Sequence, residues 1–174
     1  HLVERIVPVT ETQPQKSRRG IYRLKDHYLR FWFRYVHPNR SQLERGGAQI
    51  ILENQVIPEI DHFSSLTFEE VCQQFFWQAG LSGKLPFVPI SIGNWWNANE
   101  EVDLIVLGEN DAILVECKWT SKPVGVDILA EQERKAQLVK PELEDRRIHF
   151  ALCSRSGFTS QLIEDTKRRQ HLSL

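Results

Sequence analysis

The clearest pattern of apolar and polar positions runs from Glu101 to Trp119, EVDLIVLGENDAILVECKW. Two apolar runs rich in β-branched residues, Val102–Leu107 and Ala112–Trp119, are parted by the turn formers Gly108-Glu109-Asn110-Asp111. This predicts a β-hairpin. Upstream, Phe68, Val71, Cys72, Phe75 and Phe76 recur at helical spacing, with Thr67 placed as an N-cap and Glu70 completing a capping box. Downstream, Val126–Val139 is periodic as a helix, Ile148–Cys153 reads as a short strand, and Ser160–Arg169 reads as a last helix.

The N-terminal part is patterned differently. His1–Val9 and Gly20–Leu24 are strand-like around a polar, basic stretch, which predicts a two-stranded wing with a floppy tip. Asp26 is placed to cap an aromatic helix, His27–Val36, apolar on so many sides that it should be buried. Arg30 and Arg34 form its exposed or paired stripe. A second helix is expected over Ser41–Ile57, ending near Pro58, and a candidate short strand over Phe87–Ile92. Of the adjacent Trp95 and Trp96, one should pack in the core and the other cap a site or meet a partner. The order of elements predicts an α/β fold, a mixed sheet flanked by helices.

Charges inside the hairpin strands give the candidate chemistry. Asp103 interrupts the first apolar run, and Glu116 and Lys118 project to one side of the second while Val115 and Cys117 project to the other. Ionised groups in an apolar strand are costly unless paired or bound to a metal. Two carboxylates on neighbouring strands suit a hard divalent cation such as Mg²⁺ or Mn²⁺, which polarises a phosphoryl oxygen and acidifies a bound water. Lys118 would then orient the water or offset charge in the transition state. The same three residues also fit a cross-strand ion pair on a solvated face, worth a few tenths of a kcal/mol. Gln132 and Lys135 of the following helix are accessory candidates.

Composition narrows the setting. The 174 residues carry a net charge of −1, with no apolar run long enough to cross a membrane. No secretory signal pattern opens the chain, so a cytoplasmic protein is expected. Cys72, Cys117 and Cys153 lack metal-ligand spacing and read as reduced core residues. The histidines show no zinc-site spacing. Between Lys16 and Arg45, nine basic residues face two acidic ones. Lys16, Arg18, Arg19, Arg30 and Arg34 are therefore candidates for binding a nucleic-acid backbone, with a solvated Arg-rich face as the equal alternative.

The arrangement D-x12-E-x-K at Asp103, Glu116 and Lys118 resembles the core of the PD-(D/E)xK nuclease superfamily, without the Pro that names it. The resemblance implies that Asp103 and Glu116 bind metal, that Lys118 is catalytic, and that the Cys117 backbone carbonyl is a further ligand. It also implies a ligand Glu on the preceding helix, and Glu69 is the choice; placement by the helix dipole explains it equally well. The longer series IYRLKDHYLRFWFRYVHPN, FEEVC, IGNWW, EVDLIV, ILVECKW and ALCSRSGFT resembles the C-terminal region of archaeal and bacterial AAA+-type ATPases.

That resemblance implies a restriction-endonuclease-like core over residues 61–174, a helical connector over 26–60, and over 1–25 the β-ribbon remnant of a winged helix. The missing helices of the winged helix and the absent initiator Met make a fragment of a longer, ATPase-bearing protein the expectation. No GxxxxGK[ST] loop occurs in these residues, so no ATP site is expected within them. DNA is the expected partner, and a homo-oligomer is compatible with the pattern. The alternative function is a non-catalytic nuclease-fold module that docks a partner protein or DNA and regulates the ATPase.

Overall fold

The computed structural model describes residues 2–168 and the backbone of 172–173. It opens with an antiparallel ribbon, β1 (Val3–Ile6) and β2 (Ile21–Leu24). The tip of this ribbon is tied down, where a floppy one was expected. The Arg5 guanidinium donates to the carbonyls of Pro14 (2.8 Å) and Ser17 (2.5 Å). Arg19 donates to Glu11 (2.8 Å) and to Glu142 (2.8 Å), a residue far along the chain. The expected strand began at His1, which lies outside the described residues.

Asp26 caps α1 (His27–Phe31), accepting the Leu29 N–H at 2.9 Å. The helix continues as a π turn over Trp32–Val36. Only Tyr35 of this segment is buried, and Phe33 is 51% exposed, so the expected all-round burial does not occur. The single long helix expected over 41–57 is also replaced. Two short pieces, α2 (Arg40–Glu44) and α3 (Ala48–Ile51), flank Gly46, whose φ of +83° breaks the first. Pro58 does not end a helix. It occupies the first turn of α4 (Ile57–Leu81), directly after a π turn over Leu52–Val56, where its missing N–H leaves no broken bond.

The sheet has the order β3-β4-β5-β6, with a two-residue β7 at its edge. Its strands are β3 (Ser91–Trp96), β4 (Glu101–Leu107), β5 (Asp111–Lys118), β6 (Arg147–Ser154) and β7 (Leu172–Ser173). β3, β4 and β5 are antiparallel, and β6 runs parallel to β5, its crossover made by α5 (Val126–Val139). α6 (Ser160–Arg168) follows β6; Arg169, its expected end, lies outside the described residues. The strand anticipated at Phe87–Ile92 begins four residues later, because Pro86 and Pro89 cannot donate to a ladder.

The pleat sorts the core into two layers. Leu104, Val106, Ile113 and Val115 meet Cys72 and Phe76 of α4 on one face. Ile105, Leu107, Ala112 and Leu114 meet Ala136 and Val139 of α5 on the other, with Trp95. α6 closes over this second layer through Leu162, which packs with Leu129 and Leu152. Each fully buried aliphatic side chain contributes roughly 1.5–3 kcal/mol, so the hairpin strands β4 and β5 anchor both layers. Among the described residues no helix is long and apolar enough to cross a membrane.

Candidate active site

β4 and β5 part where the charged residues begin. Their pairing runs from Leu107↔Ala112 to Leu104↔Val115 and stops there. Beyond that point the Asp103 carboxylate takes over from the ladder, its Oδ2 accepting the Cys117 N–H at 2.7 Å. Glu116 is 4% exposed and pairs with two ammonium groups. Lys118 Nζ donates to its Oε1, and Lys135 Nζ, from α5, lies 3.5 Å from its Oε2. Glu69 reaches the group from α4, held by Asn94, whose amide donates both to Glu69 Oε2 (3.1 Å) and to the Asp103 carbonyl (2.6 Å).

The electrostatics identify Asp103 as the middle of the group. Burial pushes its carboxyl up to about 6, and Glu116 is the largest of the charges that add to this. Glu69 is pushed up to about 8 by burial first, then by Asp103 and Glu101, against the Asn94 hydrogen bond. Burial works against the charge of Lys118, but its hydrogen bond to Glu116 and the nearby Asp103 leave its pKa raised. The outcome is three acidic side chains strung through Asp103, with two lysines crowding the Glu116 end. Asp103 and Glu116 are hard oxygen donors in repulsion, a pair a divalent cation would relieve, while among the described residues the three carboxylates do not close to within ligand distance of one another.

The remaining sequence candidates divide. Lys135 joins the group. Gln132 is fully buried and its amide donates to the carbonyls of Leu114 (2.8 Å) and Ala151 (3.2 Å), which ties α5 to β5 and β6. Glu70 is not part of a capping box, because Thr67 lies well inside α4; it binds Arg30 (2.5 Å) and His27 (3.1 Å) instead. Of the basic candidates, Arg19 is held by Glu142, Arg30 by Glu70, and Arg34 by Glu59 (2.8 Å). Lys16 and Arg18 are exposed on the ribbon. An open hollow lined by Gln73, Gln74, Trp77, Gln78 and Ile92 contains none of the acidic group.

Two features escaped the sequence. Asn94 lies in a bulge of β3, where the register to β4 shifts between Gly93 and Trp95. A Gly-Asn pair inside an apolar strand was the available signal, since such bulges re-aim side chains. The second is an edge beside Lys118. Trp119 is half-buried against Phe68 (5.3 Å between ring centroids), and Arg155 stacks over its indole ring at 4.6 Å. Asp61 receives both the Trp119 indole N–H (3.2 Å) and the Arg155 guanidinium (2.9 Å). Trp95 is the core tryptophan, and Trp96 is half-buried.

The chain is 36% identical over 157 residues to an uncharacterized protein of Methanocaldococcus jannaschii, an alignment covering 88% of this chain. It spans only 34% of that relative's length. No solved structure matches it. A family described as archaeal and bacterial proteins of unknown function, DUF234, matches residues 32–139, which contain Glu69, Asn94, Asp103, Glu116, Lys118 and Lys135. The chain belongs to this family of archaeal and bacterial proteins.

Proposed function

We propose that Glu69, Asp103, Glu116 and Lys118 form the centre of a divalent-metal-dependent deoxyribonuclease of the PD-(D/E)xK kind. The observation that carries this reading is Asp103, a half-buried carboxylate at the point where β4 and β5 part. It caps the Cys117 N–H and is repelled by Glu116. Bound Mg²⁺ or Mn²⁺ would polarise the scissile phosphate and acidify a water. Asp103 and Glu116 supply hard oxygen ligands, with Glu69 and the Cys117 carbonyl as the remaining donors. Lys118 exchanges its Glu116 partner for the attacking water or a phosphate oxygen, and Lys135 keeps Glu116 partly neutralised. Asn94 holds Glu69 against the Asp103 backbone. Lys16 and Arg18, exposed on the ribbon, are cations left for a nucleic-acid strand. The whole protein, in this reading, places an ATPase and a winged helix upstream.

One observation favours the second reading, a non-catalytic docking module: Lys118 and Lys135 already pair with Glu116 without any metal ion. Plasmid nicking with Mn²⁺ separates the two. The nuclease reading expects nicking by the wild type and none by Asp103→Ala or Lys118→Ala. A thermal midpoint that Mn²⁺ raises in the wild type, but not in Glu116→Ala, belongs with it. Identical behaviour of the wild type and both alanine variants would move catalysis elsewhere. A protein that neither cleaves nor gains stability from Mn²⁺ is a docking module.

A further inference from the structure

Three cysteines far apart in the sequence meet on the α4 side of the sheet. Cys72 projects from α4, while Cys117 and Cys153 are register partners on the parallel strands β5 and β6. Their sulfurs all lie within 4.8 Å of one another, and none is in a disulfide. Cys72 and Cys117 are buried and Cys153 is half-buried, so the cluster has one side toward solvent. Phe76, Val115 and Ala151 share its apolar layer. The cluster adjoins the acidic centre without sharing its side chains: Cys117 points away from the side of β5 that carries Glu116 and Lys118, while Glu69 lies one helical turn from Cys72 and acts on its thiol.

Thiols serving only as small apolar groups need not aim at one another. Here three separate elements direct sulfur to a common point. Metal–sulfur bonds near 2.3 Å put three ligands of a trigonal ion roughly 4 Å apart, so small side-chain adjustments close the cluster. Thiolates select soft cations, Cu(I) and Zn(II) among them. Among the described residues no His, Asp or Glu completes the set. Zn(II) calls for a fourth ligand, whereas three-coordinate Cu(I) does not. We propose that Cys72, Cys117 and Cys153 form a trithiolate site for a single Cu(I) ion, their protons leaving to solvent past Cys153.

The test uses reduced protein under anaerobic conditions, titrated with Cu(I) against a competing chelator, with a parallel arm in Zn(II). Metal content and X-ray absorption are the readouts. One Cu(I) per chain with a three-sulfur shell is expected, as is at least a tenfold weakening in Cys72→Ser and in Cys153→Ser. Fewer than three sulfur neighbours in the wild type would overturn the site whether or not the variants fold. So would affinity unchanged in both variants. Tighter binding of Zn(II), with an added oxygen ligand, would overturn the assignment to Cu(I).

Discussion

Replacing Asp103 by Asn removes a charge that burial and Glu116 both oppose, while its amide oxygen can still accept the Cys117 N–H. The native carboxyl titrates at about 6 against an ordinary 3.8, so the folded state binds this proton more tightly than the unfolded one. Stability is therefore lost as pH rises from about 4 to about 6, and the cost is fully present above 6. That difference corresponds to about 3 kcal/mol, reduced to about 1–2 kcal/mol by partial hydration of the group. In the absence of metal, Asp103→Asn should be more stable than the wild type by about 1–2 kcal/mol at pH 8, and the gain should vanish near pH 4. Urea melts at the two pH values measure it. With Mn²⁺ present the order at pH 8 should invert, because only the wild type keeps a charged oxygen ligand. A variant no more stable than the wild type at pH 8 without metal would refute the electrostatic reasoning.

Glu116→Ala leaves Lys118 and Lys135 facing each other without their carboxylate and should lower metal-free stability by about 2–4 kcal/mol; a denaturant midpoint reports this. Arg19→Ala breaks contacts with Glu11, Glu142 and the Trp96 carbonyl, and should cost about 1–2 kcal/mol in a melt without changing DNA affinity. In Gly80→Ala an added methyl would lie 2.1 Å from the Pro89 ring, so the overpacking, about 1–3 kcal/mol, should exceed the helix-propensity gain of just under 1 kcal/mol. A Gly80→Ala protein with a raised midpoint would show that Pro89 moves freely.

Local signals foretold what they govern and no more. The hairpin was legible because alternation and a four-residue turn occur within one stretch, and α5 because Leu129, Gln132, Ala136 and Val139 keep helical spacing. The helical connector was not. Gly46 and Pro58 both look like breakers, but only Gly46 breaks, since Pro58 falls where a π turn has already surrendered the ladder. Thr67 and Glu70 fit a capping box in isolation; ten preceding residues that continue the helix override it, and Glu70 is claimed by Arg30 and His27 from another element.

The candidate site divides along the same line. Asp103, Glu116 and Lys118 announced themselves because an ionised group in an apolar strand is improbable without a partner, and that information sits on single strands. Asn94 and the cysteine cluster depend on register and on which helix covers which face, quantities no local pattern carries. Basic residues are hard to read for the complementary reason. A count of arginines says nothing of the carboxylates the fold brings to them, and Glu59, Glu70 and Glu142 neutralise three of the five expected contacts. Arg155 is likewise paired, with Asp61 at 2.9 Å, so positive charge available to a phosphate backbone is better sought at Lys16 and Arg18, which are exposed and have no carboxylate partner among the described residues. Arg18→Ala should then weaken DNA binding and flatten its salt dependence by about one ion, whereas Arg34→Ala should leave the slope unchanged.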